Sequence, residues 1–232
     1  MISIRKSDQR GFTRLEWLKS RHTFSFAGYH DEAAMGYSVL RVINDDTVAP
    51  GGGFAPHSHS DMEILTWVLT GALEHRDSLG NGSIIRPGDA QRMTAGSGIT
   101  HSEFNHSRDQ PVHFLQIWIV PAVRGLAPGY EQTGFTPSER AGRFRLIASP
   151  DGADGSVTIH QDARIEAALL DFGARIEHDL NPARRGWLHV ARGFISLNDL
   201  PMGPGDGAAI ENESRLSIAA STDAELLLFD LP

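Results

Sequence analysis

Apolar and polar positions along this chain fall into short runs, each bounded by glycine, proline, asparagine or aspartate. Residues 38–43, 64–69, 113–120 and 226–231 are rich in β-branched or aromatic side chains and read as strands of ordinary length. Helical periodicity is scarce. One short candidate lies near the start, where Thr13 would cap a turn or two through Leu15, Glu16, Trp17 and Leu18. Many short strands with frequent turns predict an all-β fold with few short helices, built as a sandwich or barrel.

An internal repeat divides the pattern in two. Gly71 is followed by Pro87, Gly88, Asp89 and Ala90, and Gly193 by Pro204, Gly205, Asp206 and Gly207, each time between apolar stretches. Proline fixes φ and glycine permits a positive φ, so the recurring Pro-Gly-Asp marks an equivalent reversal in two similar units. Residues 121–150 hold four prolines, several glycines and few apolar runs, as expected of a connection. The expected organisation is one barrel over residues 1–125, a connecting segment over 126–150 and a second barrel over 151–232.

Composition narrows the chemistry. The chain of 232 residues is long enough for two such units, and its apolar fraction of 40% is ordinary for a globular protein. It contains no cysteine, which excludes disulfides, thiolate metal sites and cysteine nucleophiles, so any metal must take nitrogen and oxygen ligands. A formal charge of −8 without a long Lys/Arg cluster argues against nucleic acid, and Arg184-Arg185 is too short a basic run to change that. No stretch approaches the roughly twenty apolar residues that cross a bilayer, and Met1 to Arg5 lack the features of a signal peptide. A soluble, cytoplasmic protein is expected, with no membrane partner; the sequence sets no oligomeric state.

Four side chains then stand out. His57 and His59 form one pair, His101 and Glu103 another, each separated by one residue. On a strand, positions i and i+2 share a face, so two adjacent strands could bring three imidazoles and a carboxylate to one point, a donor set suited to a divalent transition metal. Glu63 has the same parity as His57 and His59, so spacing leaves two carboxylates competing for one place. The second unit offers only His178 and His189, isolated, and is expected to hold no metal. His22, His30, His75, His106, His113 and His160, like those two, read as structural. Trp67, Phe104, Phe114 and Trp118 could line an aromatic pocket or pack in the core. Gly51 to Gly53 lack the Lys-Ser/Thr of a phosphate loop and read as a turn into the ligand strand.

The pattern of Gly51, five residues, His57-Ser58-His59, three residues, Glu63 and a later Gly71, with Gly98, two residues, His101, three residues and Asn105, resembles the two cupin motifs. Residues 21–26, 41–46 and 92–103, with Gln116 to Ile119, Tyr130 to Gln132 and the C-terminal Leu226 to Pro232, are similar to the pirin family of bicupins, most of all to its bacterial pirin-like quercetinases. The resemblance implies two stacked β-barrels of the double-stranded β-helix or jelly-roll type. It implies a metal in the first, held by His57, His59, His101 and Glu103, with Glu63 left to a supporting role. Fe(II) is the expected ion, with Ni, Mn, Cu and Zn as alternatives. The implied activity is quercetin 2,3-dioxygenation, in which a flavonol and dioxygen react with loss of carbon monoxide and Glu103 serves as both ligand and catalytic base. The alternative is a non-catalytic metal-binding or redox-sensing regulatory protein of pirin type that acts through a protein partner.

Overall fold

The computed structural model describes all 232 residues and shows the all-β, two-barrel architecture expected from the repeat. Each barrel consists of a seven-stranded and a four-stranded sheet, almost wholly antiparallel. In the first, the large sheet is centred on strands Glu63–Thr70, Val112–Ile119 and Leu40–Val48, and the small sheet runs Gly53–His59, Ile99–Asn105, Leu73–Asp77, Gly82–Ile85. The second repeats this with Arg185–Arg192, Ala224–Leu231 and Arg164–Leu170 at the centre of its large sheet.

Side-chain alternation explains why the two barrels stack. Along Glu63–Thr70, Val68 faces inward with Leu73 and Ile85, whereas Leu65, Trp67 and Leu69 face outward. Those outward residues join Ile147, Ile165, Trp187 and Phe229 of the second barrel in one continuous core. Both faces of each large sheet are therefore buried, and its strands read as near-continuous apolar runs. A polar clasp crosses the same interface: the Trp67 indole N–H donates to Glu225 at 3.0 Å, and Arg140 pairs with the same carboxylate oxygen at 3.2 Å.

The strands also cross the expected boundaries. Ile2–Arg5 pairs with Gly207–Glu211 and so belongs to the second barrel, while Gly129–Gly134 extends the first barrel's large sheet beside Asp89–Thr94. The 126–150 segment thus carries an edge strand of one barrel, the helical turn Pro137–Arg140 and the strand Arg145–Ser149 of the other. Thr136 and Glu139 form a capping box that stops this turn from unravelling.

The expected N-terminal helix is replaced by a hairpin. Gly11–Arg14 pairs with Leu18–His22, because ladder bonds satisfy more backbone groups than a single capped turn of four residues could. No helix is long and apolar enough to cross a membrane.

Candidate metal centre

Strand Ile99–Asn105 lies between Gly53–His59 and Leu73–Asp77, and this small sheet sets up the site. His101 pairs directly with His57, whereas Glu103 pairs with Phe54, so Ala55 and Pro56 together oppose Ser102. That extra residue is a β-bulge, a place where a strand tolerates proline and where side chains are re-aimed. Gly53 is required next to it. A Cβ there would overlap the Glu103 carbonyl oxygen and the Phe104 backbone.

The bulge also fixes a tautomer. His57 Nδ1 donates to the Ala55 carbonyl at 2.8 Å, which leaves the Nε2 lone pair facing inward. His101 Nε2 lies 3.1 Å from it, and the donor atoms of His57, His59 and His101 all fall within 4.8 Å of one another. Two nitrogens about 2.1 Å from one ion and at right angles to each other stand about 3.0 Å apart, so the spacing fits a shared cation. Burial, with the neighbouring His57, brings His59 down to about 4, and burial with the surrounding imidazoles lowers His101 further still. Both rings are therefore neutral near pH 7, the form that coordinates. The donor set suits a divalent transition metal.

Glu103 lines the cavity over these rings but stands outside the three-histidine group, its carboxylate falling within 4.8 Å of His75 and His101 instead. It is 4% exposed, and burial raises its carboxyl to about 7, opposed by Gln116 and Thr66, which reach one carboxylate oxygen only at 3.4 Å each. A cation would serve this carboxylate far better than those long contacts do. Glu63 is placed elsewhere. It starts a strand of the large sheet and turns outward, where one carboxylate oxygen accepts from the Thr94 hydroxyl at 3.1 Å and from the His160 backbone N–H at 3.3 Å, with the His160 ring Nδ1 also at 3.3 Å. It joins neither cluster of prospective ligands.

His75 does join one. On the third strand of the small sheet, it groups with His101 and Glu103 within 4.8 Å, and its Nε2 lies 3.3 Å from Asp77. His22 also exceeds a purely structural place, since it lines the cavity described next. Elsewhere, His113 pairs with Asp45 at 2.6 Å, His106 with Glu74 at 3.4 Å and His178 with Glu166 at 3.3 Å, while His30 is exposed.

A cavity of about 280 Å³ opens over the cluster, with His57, His59 and Glu103 on one wall and Ser20, Asn44 and Asp46 on the other. Trp118 closes one side, edge-on to His59 at 4.9 Å and to Phe26 at 5.3 Å. Of the four aromatic candidates, only Trp118 lines this space; Trp67 and Phe114 are core, and Phe104 is partly exposed on the barrel's outer side. Phe26 and Phe54 line it as well. A larger depression of about 600 Å³ along the 74–84 hairpin is open to solvent and holds none of the four expected ligands. The second barrel's interior is packed instead with Leu188, Val190, Ile195, Leu197, Leu216 and Ile218.

The profile of the Pirin family matches residues 4–119. The chain belongs to the pirin family. A quercetinase C-terminal cupin domain matches residues 146–231, so the bicupin reading covers both barrels. Among pirin relatives, an Escherichia coli K12 protein named quercetin 2,3-dioxygenase is 46% identical over 100% of this chain and 99% of its own. A pirin-like protein of Caulobacter vibrioides is 42% identical over 99% of both chains. The crystal structure of YhhW from Escherichia coli superposes with a TM-score of 0.95 at 45% identity, covering 100% of this chain and 98% of that one. A structure of the bacterial pirin YhhW in complex with nickel(II) gives 0.94 at 45% identity, covering 100% and 99%.

Proposed function

We propose that this pirin is a metal-dependent dioxygenase that cleaves quercetin or related flavonols, with one divalent ion held by His57, His59, His101 and Glu103. The observation that carries the reading is the convergence of three imidazoles, neutral in His59 and His101 and fixed in tautomer at His57, on one wall of a cavity that also receives a buried carboxylate and three aromatic side chains. The relatives named quercetin 2,3-dioxygenase support the same reading. Fe(II) is the proposed ion; nickel(II), present in the related Escherichia coli structure, would compete for the same donors.

When bound, such an ion supplies Lewis acidity toward the flavonol 3-hydroxyl and a redox partner for O2. The residues of the chain do the rest. The Ala55 carbonyl holds His57 in the tautomer that presents Nε2. Glu103 reaches the cavity from a buried position and accepts the 3-hydroxyl proton on a carboxylate oxygen. Trp118, Phe26 and Phe54 line the cavity and exclude water around the flavonol rings.

The test is metal content by mass spectrometry, with O2 uptake on quercetin measured alongside. Wild type should carry one ion per chain, Glu103→Gln should lose both ion and uptake, and Glu63→Gln should keep the ion. Loss of metal from Glu63→Gln alone would overturn the ligand set.

A further inference from the structure

The cavity's second wall is polar, and the chemistry assigned above leaves it unused. Strands Leu18–His22 and Leu40–Val48 present Ser20, His22, Asn44 and Asp46 toward the candidate ligands, with Ser20 paired to Asp46 and His22 to Asn44. Two of these satisfy each other. His22 Nδ1 donates to Asn44 Oδ1 at 2.8 Å, and its Nε2 accepts from the Thr13 hydroxyl at 2.8 Å. Burial lowers the His22 pKa and keeps the ring in the neutral form that this one-donor, one-acceptor arrangement needs.

Asp46 is different. It is 3% exposed and lines the cavity, and its Oδ1 is buried without a hydrogen-bond partner. A buried carboxyl oxygen left unpaired is costly, and native proteins rarely keep one without a purpose. A hydroxyl on a molecule inside the cavity would complete it.

We propose that Asp46 accepts a hydrogen bond from a substrate hydroxyl remote from the oxygen held at the His57, His59, His101 and Glu103 cluster. The cavity then selects planar aromatics with oxygen functions at two separated points, one for each wall. Phe26, Phe54 and Trp118 provide the apolar surroundings of the rings. Burial pushes the Asp46 carboxyl up to about 7, opposed by the Ser20 hydroxyl and reinforced by the charges of Asp45 and Glu103, yet an acceptor oxygen remains in both protonation states. The identity of the substrate rests on the dioxygenase reading; the hydrogen bond itself needs no turnover.

The experiment is therefore anaerobic binding, followed by flavonol absorbance, to metal-free and to zinc-loaded protein. Quercetin carries hydroxyls on both ring systems, and 3-hydroxyflavone carries only the 3-hydroxyl. Wild type should prefer quercetin by about tenfold, the worth of one hydrogen bond of about 1.4 kcal/mol. Asp46→Leu should abolish that preference, and Asp46→Asn, whose amide oxygen still accepts, should keep part of it. Asp46→Leu should also melt at or above the wild-type temperature, because it removes an unpaired buried oxygen, whereas a structural carboxylate would be missed. Should one variant fail to fold, the other still decides. A preference unchanged by substitution, or equal weakening of both flavonols, overturns the proposal, as does failure of wild type to bind quercetin at all. A preference lost in Asp46→Leu while no metal supports O2 uptake would leave the proposal standing and sink the dioxygenase reading alone.

Discussion

His189→Leu should flatten the acid limb of the stability curve. His189 lies on Arg185–Arg192 between Leu188 and Val190, which face the second barrel's interior, so its ring sits in the interface between barrels, fully buried, with neither nitrogen hydrogen-bonded. Burial, aided by Arg10 and opposed by Asp45 and Asp206, pulls its pKa from 6.5 down to about 3. Those neighbours are themselves committed, Asp45 to Arg10 at 3.1 Å and His113 at 2.6 Å, and Asp206 to Lys6 at 2.9 Å. Because the folded-state value is depressed, the unfolded chain takes up the proton first. Nothing is lost above pH 6.5, and stability falls as pH drops from there toward 3. At pH 5 the deficit is 1.5 units below the unfolded value, or about 2 kcal/mol, equivalent to about 4–8 °C in melting temperature for a chain of this size. Leucine carries no such proton. Chelator-treated wild type and variant, melted at pH 8 and pH 5, should therefore differ in their pH-induced shift by that amount. Parallel shifts in the two proteins would refute the reasoning that this imidazole is held neutral by burial.

Further substitutions separate the site from the scaffold. Gly53→Ala should cost about 1–3 kcal/mol and weaken metal retention, since its Cβ would press on the Glu103 backbone; a variant with wild-type melting and full metal would contradict this. Gly207→Ala, where a Cβ would meet the Trp187 ring, should lower the melting temperature yet leave metal content unchanged. Arg140→Met leaves Glu225 buried with Trp67 as its close partner and Arg192 only at 3.9 Å, so urea unfolding should show a loss of about 3 kcal/mol, and a loss below 1 kcal/mol would show that the clasp is dispensable.

Period-two spacing made the convergence of His57, His59 and His101 legible, because the strand face follows from parity alone once strands are assumed. What parity could not show was which sheet each carboxylate belongs to. Glu63 and Glu103 separate only when Glu63–Thr70 is seen to enter the large sheet and turn its first residue outward toward His160. His75 was hidden for a similar reason: Glu74 and Arg76 flank it as on a solvated strand, and its place beside His101 depends on a long-range pairing. Asp46 was masked by its own neighbours. Asn44, Asp45 and Asp46 resemble a turn, which ended the predicted strand at residue 43, yet the strand continues to Val48. It can do so because Asp45 is neutralised by Arg10 and His113 on the outer face, while Asn44 and Asp46 line a cavity on the inner one. The N-terminal strand's pairing with residues 207–210 has no local signal at all.

The central claim is that this cluster drives oxygenation of a flavonol. It is tested most directly by supplying quercetin and O2 to Fe(II)-loaded protein and measuring O2 consumed against carbon monoxide released. One carbon monoxide per O2 is expected, lost in His101→Ala together with the metal. Turnover that persists in metal-free His101→Ala, or no carbon monoxide from wild type with any divalent ion, would contradict it.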